Sequence, residues 1–252
     1  MDQTGKVSLT IENGIAAVSF FHPKSNSLPG KLLREIAETF TELAENSEAK
    51  VIILKSEGEK AFCAGASFDE LIAIDNFDSG KEFFMGFARV INAMRKCPQI
   101  IIAAVQGKVV GGGVGLVSAA DYTFAVESAS AKLSELALGI GPFVVGPAVE
   151  RKIGKAAFSE MSIDYDWRTA LWCKEKGLYA KIFSNNAYLK IAVDELANKL
   201  NSGSSEAMAE LKKVLWEGTE NWDELLEQRA EISGRLVLSD FTKKYIQSFK
   251  AK

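Results

Sequence analysis

Apolar and polar residues alternate through residues 7–12, and a second β-rich run occupies residues 15–21, with Asn13-Gly14 between them. Both linking residues tolerate positive φ, so the pattern predicts a β-hairpin. Leu32, Leu33, Ile36, Phe40 and Leu43 then recur at helical spacing, which predicts an amphipathic helix over residues 30–46. Residues 51–55 and 100–105 are short, strongly apolar runs that read as buried strands. Strand, helix and strand at this spacing imply βαβ connections and a parallel sheet. Between these runs a polar stretch, residues 69–80, precedes a helix carrying Phe83, Phe84, Phe87, Val90, Ile91 and Met94, which Pro98 ends. Beyond Gly139 the pattern turns helical, with helices expected at residues 155–161, 167–176, 187–200, 205–216 and 221–239. No internal repeat or low-complexity linker interrupts it. The expected organisation is an α/β core over residues 1–185 with an attached helical region over residues 186–252.

Composition narrows the classes of function. The chain has 252 residues, 47% hydrophobic and 25% charged, with a net charge of −3. That balance suits a globular protein with a substantial core and gives no basis for nucleic-acid binding. The N-terminus is polar and shows no secretory pattern, and the longest apolar runs are too short to span a bilayer. Cys63, Cys97 and Cys173 are odd in number and form no CxxC pair, so reduced thiols in a cytoplasmic protein are expected. The single histidine, His22, leaves a histidine-based metal site short of ligands. It also has no GxSxG nucleophile to serve in a Ser-His-Asp triad.

Candidate chemistry concentrates in residues 100–116, where a buried strand passes through Gly107, Gly111, Gly112, Gly113 and Gly115 into a small-residue segment able to start a helix. Helix N-termini expose unpaired N–H groups, and glycines let a ligand approach them. The segment fits neither the Walker A nor the dinucleotide-binding fingerprint, because Val109 follows Gly107-Lys108 and Leu116 stands where GxGxxG needs its last glycine. The glycines alone leave two readings open, a site for developing negative charge and close helix–strand packing.

A second segment bears on that choice. Ala61-Phe62-Cys63-Ala64-Gly65-Ala66-Ser67-Phe68-Asp69-Glu70-Leu71 follows the strand at residue 51. With residues 102–113 it resembles the paired AF-x-AGAD-x-x-EL and IAAV-x-G-x-x-x-GGG segments of the crotonase (enoyl-CoA hydratase/isomerase) family. Pro23 to Leu28 is similar to that family's PxxNAL stretch, Asp121 stands at its usual aspartate, and residues 135–142 resemble its E-x-x-LG-x-x-P. The ordered set covers most of residues 7–160.

The resemblance implies a spiral of ββα units with a C-terminal helical trimerisation region, hence a homotrimer or a dimer of trimers. It implies an acyl-CoA thioester substrate, with coenzyme A entering as part of the substrate and no permanently bound cofactor. By motif position the backbone N–H groups of Ala66 and Gly112 hold the thioester carbonyl. The CoA adenine falls near the backbone of Ala64, Ala66 and Phe68. Lys24 occupies a position that approaches the CoA phosphates, with a solvated surface lysine as the alternative. In the tail, Lys243-Lys244 replaces the family's EG pair, and a CoA contact from Lys252 of a neighbouring subunit is one further option.

One departure bears on the reaction. Family hydratases carry two glutamates, and at the first position this chain has Gly115, while the second, twenty residues on, is Glu135. The arrangement resembles that of family members that move a double bond with one base. The expected activity is double-bond isomerisation of an enoyl-CoA with Glu135 as the single base. The alternatives are hydration of a 2-enoyl-CoA, such as a branched methylglutaconyl-type thioester, and acyl-CoA binding without catalysis. Asp69, Glu70 and Glu150 are candidate substitutes for the missing acid, each also readable as a solvated or paired charge. Ser67 replaces the family's aspartate after Gly-Ala, and Gly115 leaves room for either a bulkier acyl group or a water. Phe83, Phe84 and Phe87 read as helix core or acyl pocket, Cys63 as a buried filler, and Trp167 and Trp172 as core or subunit contacts.

Overall fold

The computed structural model describes residues 5–250. Strands β1 (Lys6–Glu12) and β2 (Ile15–Phe21) pair antiparallel around Asn13 and Gly14, whose φ values of 49° and 84° are those of a tight hairpin turn. Helix α1 (Gly30–Ala44) follows and buries Leu32, Leu33, Ile36, Phe40 and Leu43, the residues whose spacing predicted it. The chain continues through β3 (Val51–Ser56), β4 (Ala61–Cys63), α2 (Phe68–Ile72) and α3 (Phe77–Lys96). Next come β5 (Ile100–Val105), β6 (Lys108–Val110), α4 (Gly112–Ala119), β7 (Tyr122–Val126) and β8 (Ala131–Lys132). A 3-10 turn at Leu136–Leu138 leads to α5 (Gly146–Ile163), α6 (Ala170–Glu175) and β9 (Lys181–Phe183). The helices α7 (Asn186–Asn201), α8 (Ser205–Leu215), α9 (Trp222–Leu236) and α10 (Asp240–Lys250) complete the described chain.

Three times in succession a long strand is followed by a short strand and then by helix. The long strands and the three-residue β9 join one six-stranded sheet in the order β1-β2-β3-β5-β7-β9, parallel from β2 onward, and the other short strands form a second sheet, β4-β6-β8. This is the expected spiral of ββα units. Strands β3 and β5 are buried along most of their length, as a parallel sheet covered on both faces requires.

The helical region is built into this core. Helix α7 lies across the six-stranded sheet, and α9 packs along α3. At that crossing, a methyl group on Gly80 would stand 2.9 Å from the Gly234 carbonyl oxygen, so glycine on both helices sets how closely they approach. Asp121, after α4, accepts hydrogen bonds from the Ile101 N–H (2.8 Å) and the Trp216 indole (2.9 Å), and pairs with Lys212 at 2.9 Å. Both partners of that pair are under 5% exposed, at 4% and 3%. No helix among the described residues is long and apolar enough to cross a membrane.

The structure corrects the expected elements in several places. The polar stretch at residues 69–80 is partly helical: Ser67 caps α2 by accepting from the Glu70 N–H (3.3 Å), and Asn76 and Ser79 form a capping box on α3. Helix α5 starts at Gly146, well before residue 155, and breaks at Gly154, where φ is 78°. Trp167 and Arg168 lie outside α6, because Arg168 bridges Ala131 in an extended conformation. Strand β9 interrupts the stretch read as purely helical, and the tail from Asp240 is a further helix. Strands β4, β6 and β8 have only two or three residues each, too few for any periodicity to show. Lys252 lies outside the described residues.

Candidate active site

Two glycine turns from the short sheet converge. After β4 the chain turns at Gly65, with φ at 90°, and is pinned there: the Leu28 N–H donates to the Gly65 carbonyl (2.8 Å), and the Ser67 N–H donates to the Leu28 carbonyl (3.0 Å). The Ser27 hydroxyl donates to the Ala66 carbonyl at 2.9 Å. Asn26 steadies the Pro23-to-Leu28 loop from within, donating from its buried amide to the Glu57 and Ala61 carbonyls at 2.8 and 2.9 Å. After β6 the chain turns at Gly111, whose φ of 54° and ψ of −119° suit only glycine, and α4 begins. A methyl group on Gly65 would lie 3.7 Å from the Gly112 nitrogen, so the two turns are in near contact. Among the described residues, neither the Ala66 N–H nor the Gly112 N–H is taken by a backbone carbonyl.

Both turns open on a cavity of about 530 Å³, and Lys24, Ala64, Ala66, Phe68, Gly112 and Glu135 all line it. These six of the residues singled out from the sequence are thus brought to one place. Phe83, Phe84 and Phe87 line it too, so the aromatic face of α3 is both helix packing and cavity wall. The Phe87 ring lies so close to Gly112 that a methyl group there would stand 2.2 Å from it. This accounts for the middle glycine by packing as well as by access. Gly113 backs onto Cys63 in the same way, at 2.8 Å. Cys63 is a buried filler whose thiol burial pushes up to about 12.

Glu135 enters from the 3-10 turn, with its carboxylate against Gly111: a methyl group there would lie 3.2 Å from Glu135 Oε1. Its Oε2 is buried, with no hydrogen-bond partner among the described residues. That burial raises the carboxyl to about 7, opposed in part by the backbone N–H groups of Glu135 and Ser134. A carboxyl poised near neutrality can both take and return a proton.

The other acidic candidates have different occupations. Asp69 is ion-paired with Lys24 at the cavity wall, and Glu70 accepts from the Gly30 N–H at 2.8 Å. Glu150 does not line the cavity. Gly115 leaves no open room, either for a bulkier acyl group or for a water. A methyl group on it would stand 2.6 Å from Val145 Cγ1 and 3.3 Å from Ile91 Cδ1. Val145, itself a cavity residue, fills the space. Ser67, in place of the family's aspartate, serves as a helix cap. His22 lies outside the cavity lining, held below its ordinary pKa first by burial and then by the Lys24 charge. Trp167 and Trp172 also lie outside it.

The family model described as Enoyl-CoA hydratase/isomerase matches residues 10–252. The chain belongs to the enoyl-CoA hydratase/isomerase family. It is an enzyme of that family, whose members process CoA thioesters. YngF of Bacillus subtilis, named for the same family, is 30% identical over 217 residues, covering 85% of this chain and 83% of that protein. The short-chain-enoyl-CoA hydratase of Clostridium acetobutylicum is 26% identical over 253 residues, covering 99% of this chain and 96% of the relative. In fold, the crystal structure of an enoyl-CoA hydratase from Bacillus halodurans superposes with a TM-score of 0.89 at 22% identity, covering 96% of this chain and 99% of that one.

Sequence reasoning missed Val145, Phe143, Lys132, Ser233 and Tyr245 as cavity residues. Ser233 and Tyr245 arrive from α9 and α10, more than a hundred positions from the glycine turns, and nothing local in the chain marks them.

Proposed function

We propose that this enzyme moves the double bond of an enoyl-CoA, with Glu135 as its single acid–base group. The observation that carries this reading is Val145 against Gly115. Apolar side chains fill the space a second carboxylate would need, and Asp69, the other acid in the wall, is paired with Lys24. Adding water across a double bond requires water to be oriented and deprotonated, and among the described residues only Glu135 remains in the cavity wall for that work.

In the proposed reaction the thioester oxygen lies between the N–H groups of Ala66 and Gly112. CoA runs past the backbone of Ala64 and Phe68, with Lys24 toward its phosphates, and no permanently bound cofactor takes part. Ionised Glu135 removes a proton from C2 of a 3-enoyl thioester. The electron pair passes into a dienolate whose charge rests on the thioester oxygen. The two N–H donors stabilise that charge more than they stabilise the neutral ground state. Glu135 then returns the proton to C4, giving the 2-enoyl thioester with no net gain or loss of atoms.

The test is a paired assay on a 3-enoyl-CoA and a 2-enoyl-CoA, with Glu135→Gln beside the unaltered enzyme. Conversion of the 3-enoyl thioester, falling by roughly 10²–10⁴-fold in the variant, is expected. Water addition to the 2-enoyl thioester as the main reaction overturns the reading. Binding of both thioesters with no turnover of either overturns it in favour of a non-catalytic acyl-CoA binder.

A further inference from the structure

Among the described residues, the cavity wall carries one cation that its own acids do not answer. Lys24 has Asp69 as its partner. Lys132 lines the same cavity, and among the described residues its ammonium meets a ring, 5.9 Å from the centroid of Trp167. Lys108 sits over that ring as well, at 5.2 Å. The short sheet explains the arrangement. Lys132 on β8 pairs with Val110 on β6, and Lys108 lies two residues before Val110, so all three side chains leave the same face. Val110 is itself a cavity residue. Two cations thus share one indole ring, which with Lys108 lies just beyond the cavity lining.

The position of Lys132 says which part of a ligand it meets. Its carbonyl accepts the Gly111 N–H at 2.9 Å, next to the turn that presents the Gly112 N–H, and Glu135 follows three residues later. Lys24, Ala64 and Phe68, on the side where CoA is proposed to run, belong instead to the loop after β2, the β4–α2 turn and the start of α2.

We infer that Lys132, with Lys108 at the same Trp167 ring, is an anion-binding subsite for a carboxylate on the acyl group, so that the substrate is the CoA thioester of a dicarboxylic acid. The inference rests on the thioester reading above and names its substrate class. A phosphate of CoA shares the same anionic chemistry and is the other source that the test separates.

The experiment measures binding rather than turnover. Glutaryl-CoA and pentanoyl-CoA have acyl chains of the same length and differ in the terminal carboxylate. Each is titrated calorimetrically into the unaltered protein, Lys132→Met, Lys132→Arg and Lys108→Met, with free CoA as a further titrant. Glutaryl-CoA is expected to bind about tenfold more tightly than pentanoyl-CoA. That preference should be lost in Lys132→Met, reduced in Lys108→Met and retained in Lys132→Arg. Equal weakening of glutaryl-CoA, pentanoyl-CoA and free CoA in Lys132→Met assigns the lysine to a CoA phosphate and overturns the acyl assignment. The absence of any preference in the unaltered protein overturns the subsite and leaves the double-bond reading standing. A preference without isomerisation supports the subsite and removes that reading. Failure to bind any CoA thioester overturns both.

Discussion

Val145 stands in the space that a side chain on residue 115 would need, with its Cγ1 2.6 Å from where a methyl group on Gly115 would lie. The two residues are thirty positions apart and belong to different turns of the spiral, yet they form one feature, a glycine on α4 and the branched side chain that fills its vacancy. The consequence is that a second glutamate cannot be restored by one substitution. Gly115→Glu alone should lower stability by roughly 1–3 kcal/mol or more through overpacking, read as an earlier chemical denaturation midpoint. Adding Val145→Gly should recover much of that loss and raise hydration of a 2-enoyl-CoA above the level of the unaltered enzyme. A double variant that is well folded and gains no hydration would show that Val145 does not set the reaction.

The pH dependence follows from Glu135. Burial lifts its carboxyl from 4.5 to about 7. The folded protein therefore holds a proton that the unfolded chain releases between those values, and the stability tied to the neutral carboxyl is lost as pH rises through about 7. Catalysis requires the opposite form, so kcat/KM for the 3-enoyl thioester should rise with pH through a value near neutrality. Glu135→Gln removes the cost of ionising a buried carboxyl. At about pH 8 that variant should be more stable than the unaltered protein by on the order of 2 kcal/mol, and the advantage should shrink as pH falls toward the ordinary carboxylate range. Denaturation midpoints of the two proteins at high and low pH check the sign, and a gap that widens on acidification would contradict it.

The homotrimer or dimer of trimers implied by family resemblance has a candidate contact surface on α8. Leu211, Val214 and Leu215 are exposed at 54%, 59% and 47%, and their spacing places them on one helix face. A contiguous apolar row of this kind on a folded chain is characteristic of an interface. Light scattering should give a mass of three chains or six for the unaltered protein. Paired Leu211→Glu and Val214→Glu should shift it to one chain with circular dichroism unchanged. A monomer before substitution would remove the expectation.

The glycine turns, Ala66 and Glu135 were legible because each sits in a segment whose local order is itself the signal. The long strands and α1 were legible for a simpler reason: each buries a continuous face, and burial writes a period into the sequence. What escaped had no such period. Strands β4, β6 and β8 place the whole site with two or three residues apiece, and β9 pairs only three residues with β7. Val145 and Tyr245 reach the cavity through the fold, from elements with no local link to the glycine segment. The missing glutamate could be read from residue 115, but what replaced it could be read only in three dimensions.

Asp121 and Lys212 provide the last test, of how the helical region is held to the core. Their ion pair is nearly inaccessible to water, at 2.9 Å. Its remaining valences are met by the Ile101 N–H and the Trp216 indole on the aspartate and by the Gln99 carbonyl on the lysine, at 2.8, 2.9 and 2.8 Å. Removing one partner strands a buried charge, so Asp121→Ala should cost about 3–5 kcal/mol. The combination Asp121→Ala with Lys212→Met removes both charges and should regain part of that loss, although the Ile101 N–H and the Trp216 indole then lack their acceptor. The double-mutant cycle, measured by chemical denaturation, should therefore show strong coupling between the two positions. Additive effects would mean that the pair is a bystander and that the indole and backbone bonds alone secure the helices.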